Sequence, residues 1–218
     1  MKNKNTIEII NSIKTIDYQE SFNIMEKRII DISLNKQKEL IWFLSHDHMY
    51  TMGTSAHKTE IHTDINIPII STNRGGKTTY HGPGQRIIYF LINLNNRKKD
   101  IRKFVSLIEK STIALLKEFG LEAKTFKDRI GIWVTKNKNL NLKKEEKIGA
   151  IGLRVKKWIT YHGLSFNINP KLQYYENIDA CGLSGYSNTS MEKLGIEITQ
   201  ENFDQIYLKY FLKGLEKL

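Results

Sequence analysis

Residues Arg86 to Leu94 read Arg-Ile-Ile-Tyr-Phe-Leu-Ile-Asn-Leu, an almost continuous apolar run entered directly from a polar, glycine-rich loop. A run of this length and composition predicts a strand buried on both faces, which needs packed layers above and below it. The loop, residues 74 to 85, reads Arg-Gly-Gly-Lys-Thr-Thr-Tyr-His-Gly-Pro-Gly-Gln and holds four of the fourteen glycines. Glycine permits positive φ and lets backbone approach a ligand closely. Arg74, Tyr80, His81 and Gln85 add charge, hydrogen bonds and an apolar ring to the same loop. A polar turn feeding a core strand is how a rigid scaffold presents a binding loop. Its spacing fits neither common phosphate-loop pattern, and it precedes its strand rather than following it.

The remaining segments supply helices and strands without regular βαβ alternation. Tyr18, Phe22, Met25, Ile29 and Ile32 recur at helical steps. Leu40 to Leu44 predicts a buried strand and Ile67 to Ile70 a short one. Asp100 is a plausible N-cap for a helix running to Phe119, burying Phe104, Val105, Ile108, Leu115 and Leu116, with Gly120 as its stop. Arg129 to Val134 predicts a strand, Lys136 to Glu146 a polar loop expected to be mobile, and residues 147–155 and 158–168 two further strands. Thr189 to Glu192 has capping-box spacing for a short helix, and Phe203, Ile206, Tyr207, Tyr210 and Phe211 stripe a last helix. No repeat, linker or composition break divides the chain. Residues 1–218 therefore read as a single α/β domain, a mixed β-sheet flanked by helices.

Cys181 is the only cysteine, so no intramolecular disulfide forms and an oxidising compartment is not indicated. The first residues lack a secretory pattern and no apolar run reaches membrane-spanning length, so the expectation is a soluble, cytoplasmic protein. The net charge of +11, from 34 basic against 23 acidic residues, is compatible with nucleic acid, an anionic surface or an acidic protein. Arg97, Lys98, Lys99, Arg102 and Lys103 concentrate that charge at a helix start, either as a solvated face or as a docking spot for an acidic partner.

Cys181 sits among turn formers in Asp179-Ala-Cys-Gly-Leu-Ser-Gly185. A lone cysteine is most often a small buried hydrophobe. Here Gly182 would let a ligand reach the sulfur, and a nucleophilic thiol needs a nearby base or cation. Lys147 is the candidate, opening Lys-Ile-Gly-Ala-Ile-Gly-Leu-Arg154, a strand whose glycines mark a bulge or a close ligand approach. His162-Gly163 repeats the Tyr-His-Gly of Tyr80-His81-Gly82, and His162 reads equally as pocket wall or core. His46 and His48 raise a metal question, but their spacing builds no site.

Four segments together resemble the lipoyl(octanoyl) transferases. The loop at 74 to 85 is similar to that family's signature, the 147 to 154 strand to its lysine-bearing strand, and His162 to Asn169 and Ala180-Cys181-Gly182 to its third and fourth motifs. The resemblance runs from about Tyr18 to Gly195 and implies a fold shared with the lipoate and biotin protein ligases. It places the nucleophile on Cys181 and the acid/base group on Lys147. It places acyl-pocket contacts on Arg74, Gly75, Gly76, Lys77, Thr78, Thr79, Tyr80 and His81, on Ala150, Ile151 and Gly152, and on Gly163, Leu164 and Ser165. One departure is Ala180, where the family usually carries proline, which frees one φ angle before the nucleophile.

The activity implied is octanoyl transfer from octanoyl-acyl carrier protein to a lysine of lipoyl domains, the first step of protein lipoylation, through a cysteine thioester. The lipoyl domains are those of 2-oxoacid dehydrogenase subunits and the glycine cleavage H protein. No cofactor, metal, nucleic acid or membrane is implied. The rivals are an ATP-dependent lipoate- or biotin-type ligase, which needs no cysteine nucleophile, and a non-catalytic basic binding module, which leaves the glycine loops unexplained.

Overall fold

A computed structural model of the chain describes residues 7–62, 66–127, 129–138, 142, 144–179 and 186–218. In chain order the elements are β1 (Glu8–Thr15), α1 (Tyr18–Ser33), β2 (Leu40–Ser45), β3 (Met49–Met52), β4 (Ile69–Ser71), β5 (Thr78–His81), β6 (Gln85–Leu91), α2 (Ile101–Glu118), β7 (Leu121–Lys124), β8 (Ile132–Asn137), β9 (Glu146–Ile151), β10 (Arg154–Lys156), β11 (Ile159–Tyr161), β12 (Gly163–Asn167) and α3 (Gln200–Leu215).

The main sheet has seven strands in the order β1-β2-β6-β12-β9-β8-β7. Only β1 and β2 pair parallel, so the sheet is mixed, as expected. All seven residues of β6 are buried, and alternation explains why the run is apolar throughout. Ile88 and Phe90 join Ile41 and Phe43 of β2 beneath α2 and α3, while Ile87, Tyr89 and Leu91 join Leu40, Trp42 and Leu44 against α1 and β11. Phe90 stacks on Phe211 at 4.7 Å and meets Phe104 edge-on at 5.9 Å. Truncating a phenylalanine so placed costs about 3–5 kcal/mol.

Arg86 interrupts this pattern without exposing itself. Its Nε and Nη2 donate to Asp204 of α3 at 2.9 and 2.5 Å, so the one charge on β6 is neutralised across the layer. The helix limits follow their local signals. Asp100 Oδ1 accepts from Lys103 N at 3.0 Å, and after Glu118 the chain leaves the helix through Gly120 at φ +74°.

Several elements depart from the sequence pattern. The strand expected from Arg129 begins at Ile132, because Gly131 at φ +137° turns the chain first, and it continues through Lys136 and Asn137. The run at 147–155 divides after Ile151, and that at 158–168 divides at His162, whose φ is +57°. Lys157 and Trp158, at φ +53° and +61°, form the hairpin turn of β10 and β11. Thr189 to Glu192 forms no helix. Turns occupy 191–195, Ser190 Oγ takes Lys193 N at 3.1 Å, and Thr189 N instead donates to Lys147 O at 2.8 Å. Long-range backbone pairing overrides the capping signal there.

A smaller sheet, β4-β3-β5, stands beside the main one and carries a third core cluster of Tyr50, Tyr80, Tyr175 and Ile178. Its β4 is the short strand expected near Ile67 to Ile70, shifted to Ile69–Ser71 and half exposed at the edge. Among the described residues no helix is long and apolar enough to cross a membrane.

Candidate active site

The two sheets and the start of α2 enclose a cavity of about 510 Å³, within the roughly 300–1,000 Å³ usual for ligand clefts. The signature loop forms one wall through Arg74, Gly75, Gly76, Lys77, Thr79 and His81. The 150–153 segment and Gly163 to Ser165 of β12 form the next, including Ala150, Ile151, Gly152, Gly163, Leu164 and Ser165. Loop and strand touch backbone to backbone. A Cβ on Gly75 would stand 2.9 Å from Leu153 O, and one on Gly152 would stand 3.0 Å from Gly75 O, so only glycine fits this seam.

Thr78 and Tyr80 do not line the cavity. In a strand successive side chains point to opposite faces, and β5 turns Thr79 and His81 toward the cavity. Tyr80 instead stacks on Tyr174 at 4.9 Å, while Thr78 N donates to Glu60 Oε2 at 2.8 Å. The same carboxylate lies 3.6 Å from Lys77 Nζ. Arg74 is held by Thr51, with Nε donating to Oγ1 at 3.0 Å and Nη2 to the carbonyl at 2.5 Å.

Three buried histidines stand around this wall. His46 donates from Nδ1 to Ile16 O at 2.6 Å and accepts from Tyr89 OH at Nε2, 2.7 Å away. His81 pairs through Nδ1 with Gln85 Oε1 at 3.1 Å, while Gln85 Nε2 reaches Asn167 Oδ1 at 3.0 Å and Tyr175 OH at 2.6 Å. Asn167 in turn donates Nδ2 to Thr189 O at 2.9 Å, which fixes both amide orientations. His81 therefore carries its proton on Nδ1 and keeps the Nε2 lone pair. His162 donates Nε2–H to Asn73 Oδ1 at 2.9 Å. Burial, then the nearby His46 and Arg74, pushes His81 well below the usual imidazole range. Burial, then Arg74 and Arg154, takes His162 to about 3. Burial lowers His46 as well, so all three rings are neutral near pH 7. His162 thus serves as both core and wall. His48 accepts or donates at Tyr80 OH, 2.7 Å away, in the smaller sheet.

Lys147 is buried on β9, and its Nζ lies 5.6 Å from the centroid of Trp133. It stands in a small recess with Thr79, Gly149, Ala150 and Asn188, and Thr79 and Ala150 also line the main cavity. Its backbone is stapled to the segment after the cysteine motif, donating to Ser187 O at 2.9 Å and accepting from Thr189 N at 2.8 Å. Ala180 and Cys181 lie outside the described residues.

Sequence reasoning missed several lining residues: Tyr18, Tyr89, Ile101, Arg129 and Ile130. Val105 was expected in the core but is half-buried, one turn from Ile101 on the cavity side of α2. The basic cluster beside it is only partly available. Arg97 is clamped on Glu39 at 2.5 and 2.8 Å, Lys103 lies 3.8 Å from Asp100, and Lys99 sits over the Trp158 ring at 5.6 Å.

Comparison with known proteins fits this geometry. Residues 17–212 match the lipoyl protein ligase A/B catalytic domain model. The chain is 44% identical to an octanoyltransferase of Ehrlichia chaffeensis, covering 90% of each. It is equally similar to one of Wolbachia pipientis wMel, 44% identical over 93% of this chain and 96% of that one. A bi-partite lipoate protein ligase of Thermoplasma acidophilum superposes with a TM-score of 0.71 at 12% identity, over 96% of this chain and 83% of that one, which shows the shared fold. The chain belongs to the lipoyl protein ligase A/B catalytic-domain family, with the octanoyltransferases as its relatives in sequence. It is an acyltransferase.

Proposed function

We propose that residues 1–218 act as one catalytic domain that moves an octanoyl group from octanoyl-acyl carrier protein to a specific lysine of lipoyl domains. The observation that carries this reading is the junction at Thr79 and Ala150. There an apolar cavity lined by the signature loop meets the recess that holds Lys147. The cavity takes the acyl chain, with Arg74 to Lys77, Thr79, His81, Ala150 to Gly152 and Gly163 to Ser165 as its contacts. Thr78 and Tyr80 act behind this wall, fixing β5 from its other face.

In the first half-reaction the Cys181 thiolate attacks the donor's thioester carbonyl, and the carrier leaves as a thiolate that takes up a proton. In the second, the ε-amine of the target lysine attacks the acyl-cysteine. Lys147 takes the proton from that amine and the Cys181 thiolate is released. Backbone N–H groups of the glycine-rich segments are suited to meet the oxyanion of each tetrahedral intermediate. The acceptors in this reading are lipoyl domains of 2-oxoacid dehydrogenases and the H protein, and the reaction takes place in the cytoplasm without a cofactor.

Mass spectrometry after incubation with octanoyl-acyl carrier protein, without ATP, tests the reading. An octanoyl adduct is expected on Cys181 and is expected to vanish in Cys181→Ala. Turnover by that variant, or an adduct elsewhere, would end the proposed mechanism. Lys147→Met is expected to move the pH midpoint of Cys181 alkylation upward, and an unchanged profile would leave Lys147 a structural residue.

A further inference from the structure

Arg129 is 8% exposed, and its guanidinium is boxed by three rings. Its Cζ lies 3.8 Å from the centroid of Phe126, 4.7 Å from Tyr186 and 4.8 Å from Trp133. Aromatic faces attract a cation but accept little from its N–H groups, of which arginine has five. Among the described residues no acceptor meets the buried Nε. The nearest carboxylate paired with it among the described residues, Glu145, stands 3.6 Å from Nη2, beyond hydrogen-bond distance.

The fold shows how its other inward-turned arginines are partnered. Arg86 takes Asp204 in two hydrogen bonds, Arg97 takes Glu39 in two, and Arg74 takes Thr51 through side chain and carbonyl. Arg129 departs from this rule, and it departs from it on the cavity wall, next to Ile130. Its position is held from behind, because its carbonyl accepts from Trp133 Nε1 at 3.3 Å. The Trp133 ring is also the one beneath Lys147 Nζ, so the caged cation stands near the recess that holds Lys147. A ligand that satisfies both the apolar cavity and these donors has a hydrocarbon chain ending in an anionic oxygen.

We propose that the caged guanidinium of Arg129 is a carboxylate subsite on the cavity wall, through which the protein binds free medium-chain fatty acids. This rests on the acyl-cavity reading above and adds a ligand class to it. Free octanoate then competes with the acyl donor for the same cavity, its chain seated as the acyl chain is and its carboxylate held by Arg129.

Calorimetric titration of the full chain with sodium octanoate and with 1-octanol tests this. Octanoate is expected to bind more tightly than octanol. In Arg129→Met its affinity is expected to fall about ten- to hundredfold, the span for one charge-assisted hydrogen-bonding group, with octanol unchanged. Arg129→Lys is expected to fall between, keeping a charge but not the planar fork. Unaltered octanoate binding in a folded Arg129→Met protein would overturn the proposal. Should that variant fail to fold, the wild-type chain still decides. The Arg129 Nε–H resonance in a 15N spectrum is expected to move with octanoate and stay still with octanol, and a resonance unmoved by bound octanoate would overturn it. Binding of neither compound would count against the acyl cavity itself and this proposal with it. Octanol binding with octanoate indifferent to Arg129 would remove this proposal alone.

Discussion

Behind the histidine-bearing wall of the cavity His46 has a partner on each ring nitrogen, and on it His81 is tied through Gln85 to Asn167, Tyr175 and Thr189. On the wall formed ahead of β8, Arg129 has three rings around it and an Nε with no acceptor among the described residues. Both walls bury polar groups, but they solve the desolvation problem differently. The histidines are neutral and hydrogen-bonded, so they hold the architecture. The arginine keeps its charge and, among the described residues, an Nε donor without an acceptor on the cavity side of the fold. A buried polar group whose partners lie within the fold reports on folding, and a charged one with a donor to spare beside a cavity is placed to meet a ligand.

The largest effect that separates the walls is on stability. Gln85→Leu removes the acceptor of His81 and a donor to Tyr80 O, while Asn167 Oδ1 keeps Tyr175 OH at 3.2 Å; each buried group so orphaned costs about 1–3 kcal/mol. A loss above about 3 kcal/mol in urea unfolding is expected. Arg129→Met, which breaks no side-chain hydrogen bond among the described residues and removes a buried charge, is expected to stay within about 1 kcal/mol of wild type. Equal losses in the two variants would erase the distinction.

The next effect is on pH dependence. The folded-state values of His46, His81 and His162 lie below the ordinary imidazole value, with His162 at about 3. Between that value and about 6.5 the unfolded chain binds protons that the folded chain refuses. Their contribution is therefore complete above about pH 6.5 and is lost as pH falls below it. The slope is up to about 1.4 kcal/mol per pH unit for each histidine. Unfolding free energies measured at pH 7 and 5.5 are expected to differ less in His162→Gln than in wild type. Arg129→Met is expected to keep the wild-type difference, because it leaves the three rings and their hydrogen-bond partners in place. A His162→Gln protein with an unchanged slope would mean that this ring is not held neutral.

The smallest effect concerns charge outside the cavity. Arg97 belongs with the structural arginines, because Glu39 clamps it. Lys98 and Arg102 lie at the start of α2, beside Ile101 of the cavity rim. If this face receives an acidic carrier protein, Lys98→Glu with Arg102→Glu is expected to raise KM for the carrier-bound octanoyl donor several-fold. The same change is expected to flatten the salt dependence and to leave turnover of a small octanoyl thioester unchanged. Identical kinetics with the carrier would return the cluster to a solvated helix start.

The order of the main elements was legible from local physics. The apolar run at 86 to 94 required a strand covered on both faces, and β6 with β2 supplies it. Asp100 and Gly120 marked the limits of α2, since a cap and a positive φ act within one turn of chain. The glycine loop and the lysine strand likewise announced themselves, because their seam tolerates no Cβ. Other features came from partners distant in sequence, and no local signal carries those. Thr189 looked like a helix cap and became a ladder partner of Lys147, because that strand was there to pair with it. Thr78 and Tyr80 belonged to the signature loop, yet strand alternation turned them to the far face. Arg129 was one basic residue among 34 until Phe126, Trp133 and Tyr186 closed around it. Caps, periodicity and backbone freedom are properties of neighbouring residues, so the sequence determines them. Whether a buried charge finds an acceptor depends on which distant segments the fold brings to it, and only the tertiary structure decides that.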